Sequence, residues 1–156
     1  MRSPAPTLHI LLTRACHSLV LGSILLGAAV NQWQALSIIP LRKAAKVPYP
    51  NSYAPRAEAE QELAKYRFNC AQRAHANLLE NLPNFVIAAL IAGLRFPAAA
   101  AMLGVAWSAG RVVYARGYAS STIAQKGDGR YRGIWFFGAQ LGLFALAGWT
   151  VVSLVV

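Results

Sequence analysis

Four long apolar runs constrain this chain more than any other feature. They lie near residues 18–41, 68–94, 98–120 and 133–156. As helices, each can cross the roughly 30 Å of bilayer hydrocarbon. A chain in lipid must satisfy its own backbone polar groups, so such runs read as helices. The expected fold is all-α, an integral-membrane four-helix bundle. Only 13% of the residues are charged, about half the usual soluble share. The 156 residues suffice for one domain, residues 18–156, after a lead-in over residues 1–17.

The net charge of +10 comes from 15 basic and 5 acidic residues. Such an excess can mean nucleic acid, but the bases sit between apolar runs rather than in an aromatic-interleaved soluble patch. Lipid and topology explain them better, and no nucleic-acid partner is expected. Arg42, Lys43, Lys46, Arg56, Lys65 and Arg67 flank or fill the first loop, and Arg116, Lys126, Arg130 and Arg132 the third. The second loop has only Arg95, and the N-terminal segment Arg2 and Arg14. The positive-inside rule places the first and third loops in the cytosol and both termini across the membrane. The N-terminal segment has no acid before Glu58. Its apolar run continues to Pro40 without a small-residue cleavage site, so it reads as an uncleaved lead-in rather than a secretory signal or a mitochondrial transit segment. Cys16 and Cys70 match no metal spacing and make no disulfide framework, and no metal is expected.

The second run carries a polar line. Asn69, Arg73, Asn77, Glu80 and Asn84 are spaced 4, 4, 3 and 4. On a helix they fall within an arc of about 80°. Charges inside a membrane helix persist when they face protein, water or a ligand rather than lipid. One reading is a ladder that only glues helices together; the other is a site for a polar ligand. In the third run Trp107, Arg111, Tyr114 and Tyr118 share an arc of roughly 60°. Antiparallel packing brings the two lines together, with Arg42 and Lys43 at the end of span one and Arg130 and Arg132 at the start of span four. The result is a mostly cationic pocket with amide and phenol groups. Arginine forks take carboxylates bidentately, and Glu80 can hold an ammonium group. A ligand with two carboxylates and one amine fits; a phosphate-bearing lipid fits less well beside Glu80.

FNCAQRAHANLLENLPNF, KVPYPNSYA and GRVVYARGYA together resemble the MAPEG family, membrane-associated proteins in eicosanoid and glutathione metabolism. The likeness covers roughly residues 30–155 and is nearest to the branch of microsomal glutathione transferases of the third type, particularly its fungal members. It implies a homotrimer of four-helix subunits, with glutathione bound between subunits from the cytosolic side. Arg73, Asn77 and Glu80 match the family's R-x-x-x-N-x-x-E glutathione motif. Tyr114 and Tyr118 match its R-x-x-Y-x-x-x-Y motif, which begins at Arg111. Arg42 matches a glutathione-contacting arginine, and Lys43 stands where related leukotriene-C synthases have a second one. His75 stands where those synthases have glutamine, and Asn81 where they have a glutathione-binding tyrosine. The thiolate-stabilising arginine falls on Arg130, with Arg132 and Lys126 behind it, because the loop before span four is a few residues longer. The resemblance thus implies catalytic roles for Arg130 and Tyr114, and glutathione contacts from Arg42, Arg73, His75, Asn77, Glu80, Tyr114, Tyr118 and Arg130.

The chemistry is plausible on its own terms. The thiolate is the nucleophile, and a guanidinium near sulfur in a low-dielectric site favours it. Neither a metal nor a covalent enzyme intermediate is needed. The expected function is conjugation of glutathione to apolar electrophiles, with reduction of lipid hydroperoxides as a companion activity. The expected membrane is the endoplasmic reticulum, with the mitochondrial outer membrane as the alternative. The rival reading is a non-catalytic, lipid-binding activating protein of the same fold. A small channel or carrier is a third, weakened by the uncharged fourth span.

Overall fold

The computed structural model describes residues 5–155. Arg2 and the first residues of the lead-in lie outside this range, as does Val156. The described chain forms five α-helices: α1 (Ala5–Ala45), α2 (Arg56–Ala59), α3 (Leu63–Arg95), α4 (Pro97–Ala119) and α5 (Phe136–Val155). A 3₁₀ turn over Asp128–Gly133 precedes α5. The protein is an all-α four-helix membrane bundle. Four segments are long and apolar enough to cross a membrane: His17–Ala45, Leu63–Arg95, Pro97–Ala119 and Phe136–Leu154.

The helix ends follow local chemistry. α1 continues past Pro40, a residue without an N–H to donate, and carries Arg42 and Lys43 in its last turn, where cations suit the carbonyl-rich helix end. The proline-rich first loop holds only the single turn α2, and α3 starts at Leu63, after a break at residues 60–62. α3 also runs unbroken through Pro83. Phe96 alone separates α3 from α4, whose first residue, Pro97, suits a position with no hydrogen-bond partner for an N–H.

α1, α3 and α4 pack on one another, and α5 packs on α3 and α4. At the centre, Phe85 and Trp107 stack with centroids 4.1 Å apart and planes 2° apart. Phe85, Trp107, Leu78, Phe136 and Leu143 are fully buried. A second apolar cluster around Ile38, Val47, Ala54 and Phe68 ties the first loop to the ends of α1 and α3. Leu25, Leu94, Leu141, Trp149 and Leu154 point outward. An exposed large apolar side chain is expected where the solvent is hydrocarbon. The alternating helix directions bring the first and third loops to one end, which we term the basic end.

Candidate functional site

The polar line of α3 forms a connected set. Arg73 Nη1 donates to Glu80 Oε1 at 2.7 Å, and Nη2 approaches Oε2 at 3.4 Å. Asn77 Nδ2 reaches Glu80 Oε2 at 3.5 Å. Arg111 of α4 comes in from behind. Its Nη1 donates to Asn77 Oδ1 at 2.7 Å and its Nη2 to the Asn77 carbonyl at 3.3 Å. Arg111 is wholly buried, over the Phe136 ring at 3.8 Å and the Trp107 ring at 5.0 Å. By occupying Asn77 Oδ1, it turns the Asn77 amide nitrogen toward Glu80. The sequence reading put Arg111 on the pocket wall; the structure puts it in the core, as a support for Asn77. Asn81 bonds back to the Asn77 carbonyl at 2.8 Å.

Arg73 and Glu80 remain about half exposed, at 49% and 53% of their side-chain surfaces. α3 has 33 residues, or about 50 Å of helix, which exceeds the hydrocarbon thickness. Counting ~20 residues back from Arg95 places the boundary on the basic side near His75. Arg73 then lies at the interface, and Asn77 and Glu80 just inside it.

Above Arg73 is a cavity of ≈1050 Å³ between the two loops. Its lining includes Arg73, Asn69, Cys70, Tyr66, Tyr118 and Lys126. Tyr53, Arg56 and Glu60 close it from the first loop. Tyr114 and Tyr118 meet edge to face, with centroids 5.9 Å apart. The Arg130 guanidinium lies 5.4 Å from the Tyr118 ring centre. It donates from Nη2 to the Tyr131 hydroxyl at 2.7 Å and from Nη1 to the Lys126 carbonyl at 3.3 Å. Burial works against its charge, but the Tyr131 hydrogen bond and the neighbouring phenols outweigh that and raise its pKa.

Glycines set the position of Arg130. A Cβ on Gly117 of α4 would run into the Gly129 carbonyl, and one on Gly133 would run into the Tyr114 backbone. The 3₁₀ turn therefore lies directly on α4. Gly127, at φ 80°, adopts the left-handed conformation that opens the turn.

The structure separates some residues that the sequence reading grouped. His75 lies about 200° round α3 from Arg73, since two residues advance a helix by that angle. Its Nε2 is 3.0 Å from Asn31 Oδ1 of α1. Arg42 folds onto the first loop, donating to the Asn51 carbonyl at 2.6 Å and lying over Tyr49 at 4.3 Å and Phe68 at 4.8 Å. Arg42 and Lys43 share a different depression from the one that Arg73 lines. Arg132, two residues after Arg130, points to a third groove. Within one subunit, then, Arg73, Asn77, Glu80, Tyr114, Tyr118 and Arg130 form one side, and neither Arg42 nor His75 joins them. The sequence reading missed Tyr53, Tyr66, Arg56 and Glu60 as cavity residues. Their only signal was membership of the first loop, whose course over the helix ends was not readable. Cys70 belongs to the second apolar run. It is 5% exposed and lines the cavity beside Tyr66. Among the described residues there is no cluster of three or more metal-ligating side chains.

The profile of the MAPEG family matches residues 20–152, which reach into all four spans and contain every residue of this site. The chain belongs to the MAPEG family. That family includes glutathione transferases, peroxidases and eicosanoid-synthesis proteins, together with some non-catalytic members. In this MAPEG chain the polar line of α3, the two tyrosines of α4 and the arginine of the 3₁₀ turn converge at the basic end of the bundle.

Proposed function

We propose that this protein is a membrane-bound glutathione transferase of the third microsomal type. It conjugates glutathione to apolar electrophiles and also reduces lipid hydroperoxides. The observation that carries this reading is the Arg73–Asn77–Glu80 set, held from behind by Arg111 and opening toward Tyr118 and Arg130.

Arg73 and Glu80 already satisfy each other as cation and anion. A zwitterion can exchange with that pair, its carboxylate taken by Arg73 and its ammonium by Glu80. Asn77, oriented by Arg111, adds an amide donor. The tripeptide's thiol is thereby directed toward Tyr114, Tyr118 and Arg130. A free thiol has a pKa of about 8.5, and a neighbouring guanidinium lowers it. The thiol proton leaves to water, and the thiolate stays paired with Arg130. In conjugation its electron pair forms the C–S bond while the electrophile's leaving group, if it has one, departs with its own pair. In peroxide reduction, two glutathiones supply the two electrons that convert the hydroperoxide to alcohol and water, ending as a disulfide. Ile134, Trp135 and Phe137 are exposed just beyond Arg130 and give an apolar approach from the membrane.

Arg42 and His75 complete the site from a second copy of the chain, in a homotrimer. This accounts for their place away from the Arg73 side of the subunit. It also accounts for a half-exposed ion pair at membrane depth: left against lipid, Arg73 and Glu80 would each be unfavourable. The expected membrane is the endoplasmic reticulum, with the basic end toward the cytosol.

The test is calorimetric titration of glutathione into the purified protein and its Arg73→Ala variant. Loss of a charge-assisted contact should weaken binding roughly tenfold or more while helical content is retained. Unchanged affinity would remove the polar line of α3 from the site.

A further inference from the structure

A second basic feature of the same end takes no part in the glutathione reading. It is a groove of ≈610 Å³ lined by Arg67, Arg116 and Arg132, with Leu41 and Val113 at its apolar edge. It shares no lining residue with the cavity above Arg73. No carboxylate lines it, and among the described residues none of the three arginines forms an ion pair. The Nε of Arg67 is buried and has no hydrogen-bond partner. Arg116 lies over the Trp33 ring at 5.5 Å, which fixes its stem against α1.

The groove does not end at the arginines. A narrow, mostly apolar cleft of ≈90 Å³ runs on between α1 and α4 with α3 at its floor, bounded by Trp33, Ile38, Ala74 and Ala115, with Gln34 and Ser37 as its polar members beside Arg116. Cleft and groove share Leu41, Arg116 and Ala119. Unpaired guanidinium groups at a membrane interface thus stand directly above an apolar seam. Arginine forks match phosphate oxygens bidentately, and the absence of a carboxylate removes the repulsion that Glu80 would impose at the other site. The leaflet facing a cytosolic end is the one rich in anionic lipid.

We propose that Arg67, Arg116 and Arg132 bind the phosphate of an anionic phospholipid, whose acyl chain lies along the seam between α1 and α4. The groove is a lipid site on the outer face of the bundle, separate from the glutathione site.

The experiment is native mass spectrometry of the full-length protein in detergent, titrated with dioleoyl phosphatidic acid, dioleoyl phosphatidylcholine and glycerol 3-phosphate. Phosphatidic acid should bind in preference to phosphatidylcholine, and glycerol 3-phosphate should not displace it at equal concentration. Arg116→Gln or Arg132→Gln should each weaken phosphatidic acid binding about fivefold, and the double variant about thirtyfold. The control Lys43→Gln/Lys46→Gln removes the same charge from another face of the basic end and should leave binding unchanged. Val113→Trp fills the groove without altering charge and should also weaken binding. Equal binding of the two lipids, an equal loss in the lysine control, or full binding by Val113→Trp would each overturn the proposal. Displacement by glycerol 3-phosphate would also overturn it, replacing a lipid with a soluble anion.

Discussion

Two arginines within hydrogen-bonding reach of the same short stretch of α3 do different work. Arg73 is half exposed and faces the cavity edge; Arg111 is fully buried and holds Asn77 by two hydrogen bonds. Arg111→Leu should therefore lower thermal stability in detergent, because half-buried Asn77 loses both hydrogen bonds from a charged donor, a loss of about 1.5–3 kcal/mol for such a contact. It should also weaken glutathione binding through the freed Asn77 amide. A variant with full affinity and an unchanged melting temperature would contradict that support role. The phase of Arg73, Asn77 and Glu80 was legible in the sequence because helix geometry fixes it at 100° per residue. The inward rotation of Arg111 was not, since its own periodicity also allowed it to line the pocket. The opposed placement of Arg73 and His75 was countable from their spacing of two, yet they were grouped because the resemblance implied contacts from both.

Among the elements, the 3₁₀ turn is the least readable and the most consequential. Sequence alone left Arg130, Arg132 and Lys126 as alternatives for the residue facing the thiol. The turn gives them different surroundings: Arg130 lies over Tyr118, Lys126 lines the cavity above Arg73 with Tyr118, and Arg132 lines the groove with Arg67 and Arg116. Neither a helix nor a strand period applies to such a segment, and its course depends on the contact between Gly117 and Gly129. Arg130→Ala should reduce kcat/KM roughly a hundredfold, as for loss of one donor to a developing anion, with a smaller change in glutathione affinity. A matching loss from Lys126→Ala instead would assign the role to the lysine. Gly117→Val, which pushes the turn off α4, should reproduce the Arg130→Ala phenotype; full activity would show that the turn's position does not matter. The long helices were far more legible. Their apolar length identified all four, and the structure differs mainly at the ends, where α1 runs on to Ala45 rather than ending at 41 and α3 starts at Leu63 rather than 68.

The whole molecule has one strongly basic end, where the first and third loops meet. By the positive-inside rule we propose that this end faces the cytosol. Tags fused to either terminus should then be shielded from protease in sealed microsomes, and cleavage of an intact-vesicle tag would reverse the orientation. Assembly was not written in composition or periodicity. The homotrimer comes from the family resemblance, and the proposal uses it to bring Arg42 and His75 to the Arg73 side of a neighbouring copy. Cysteines placed at Arg42 and at Arg73 should therefore cross-link between subunits but not within one.

Thiol activation at the proposed site is read by an ultraviolet difference spectrum. Glutathione is titrated into the purified wild-type protein and the Arg130→Ala variant in detergent at neutral pH. A saturable thiolate band is expected in the wild type and should be lost in the variant while binding persists. Saturable binding with no thiolate band in the wild type, or an undiminished band in Arg130→Ala, would contradict it.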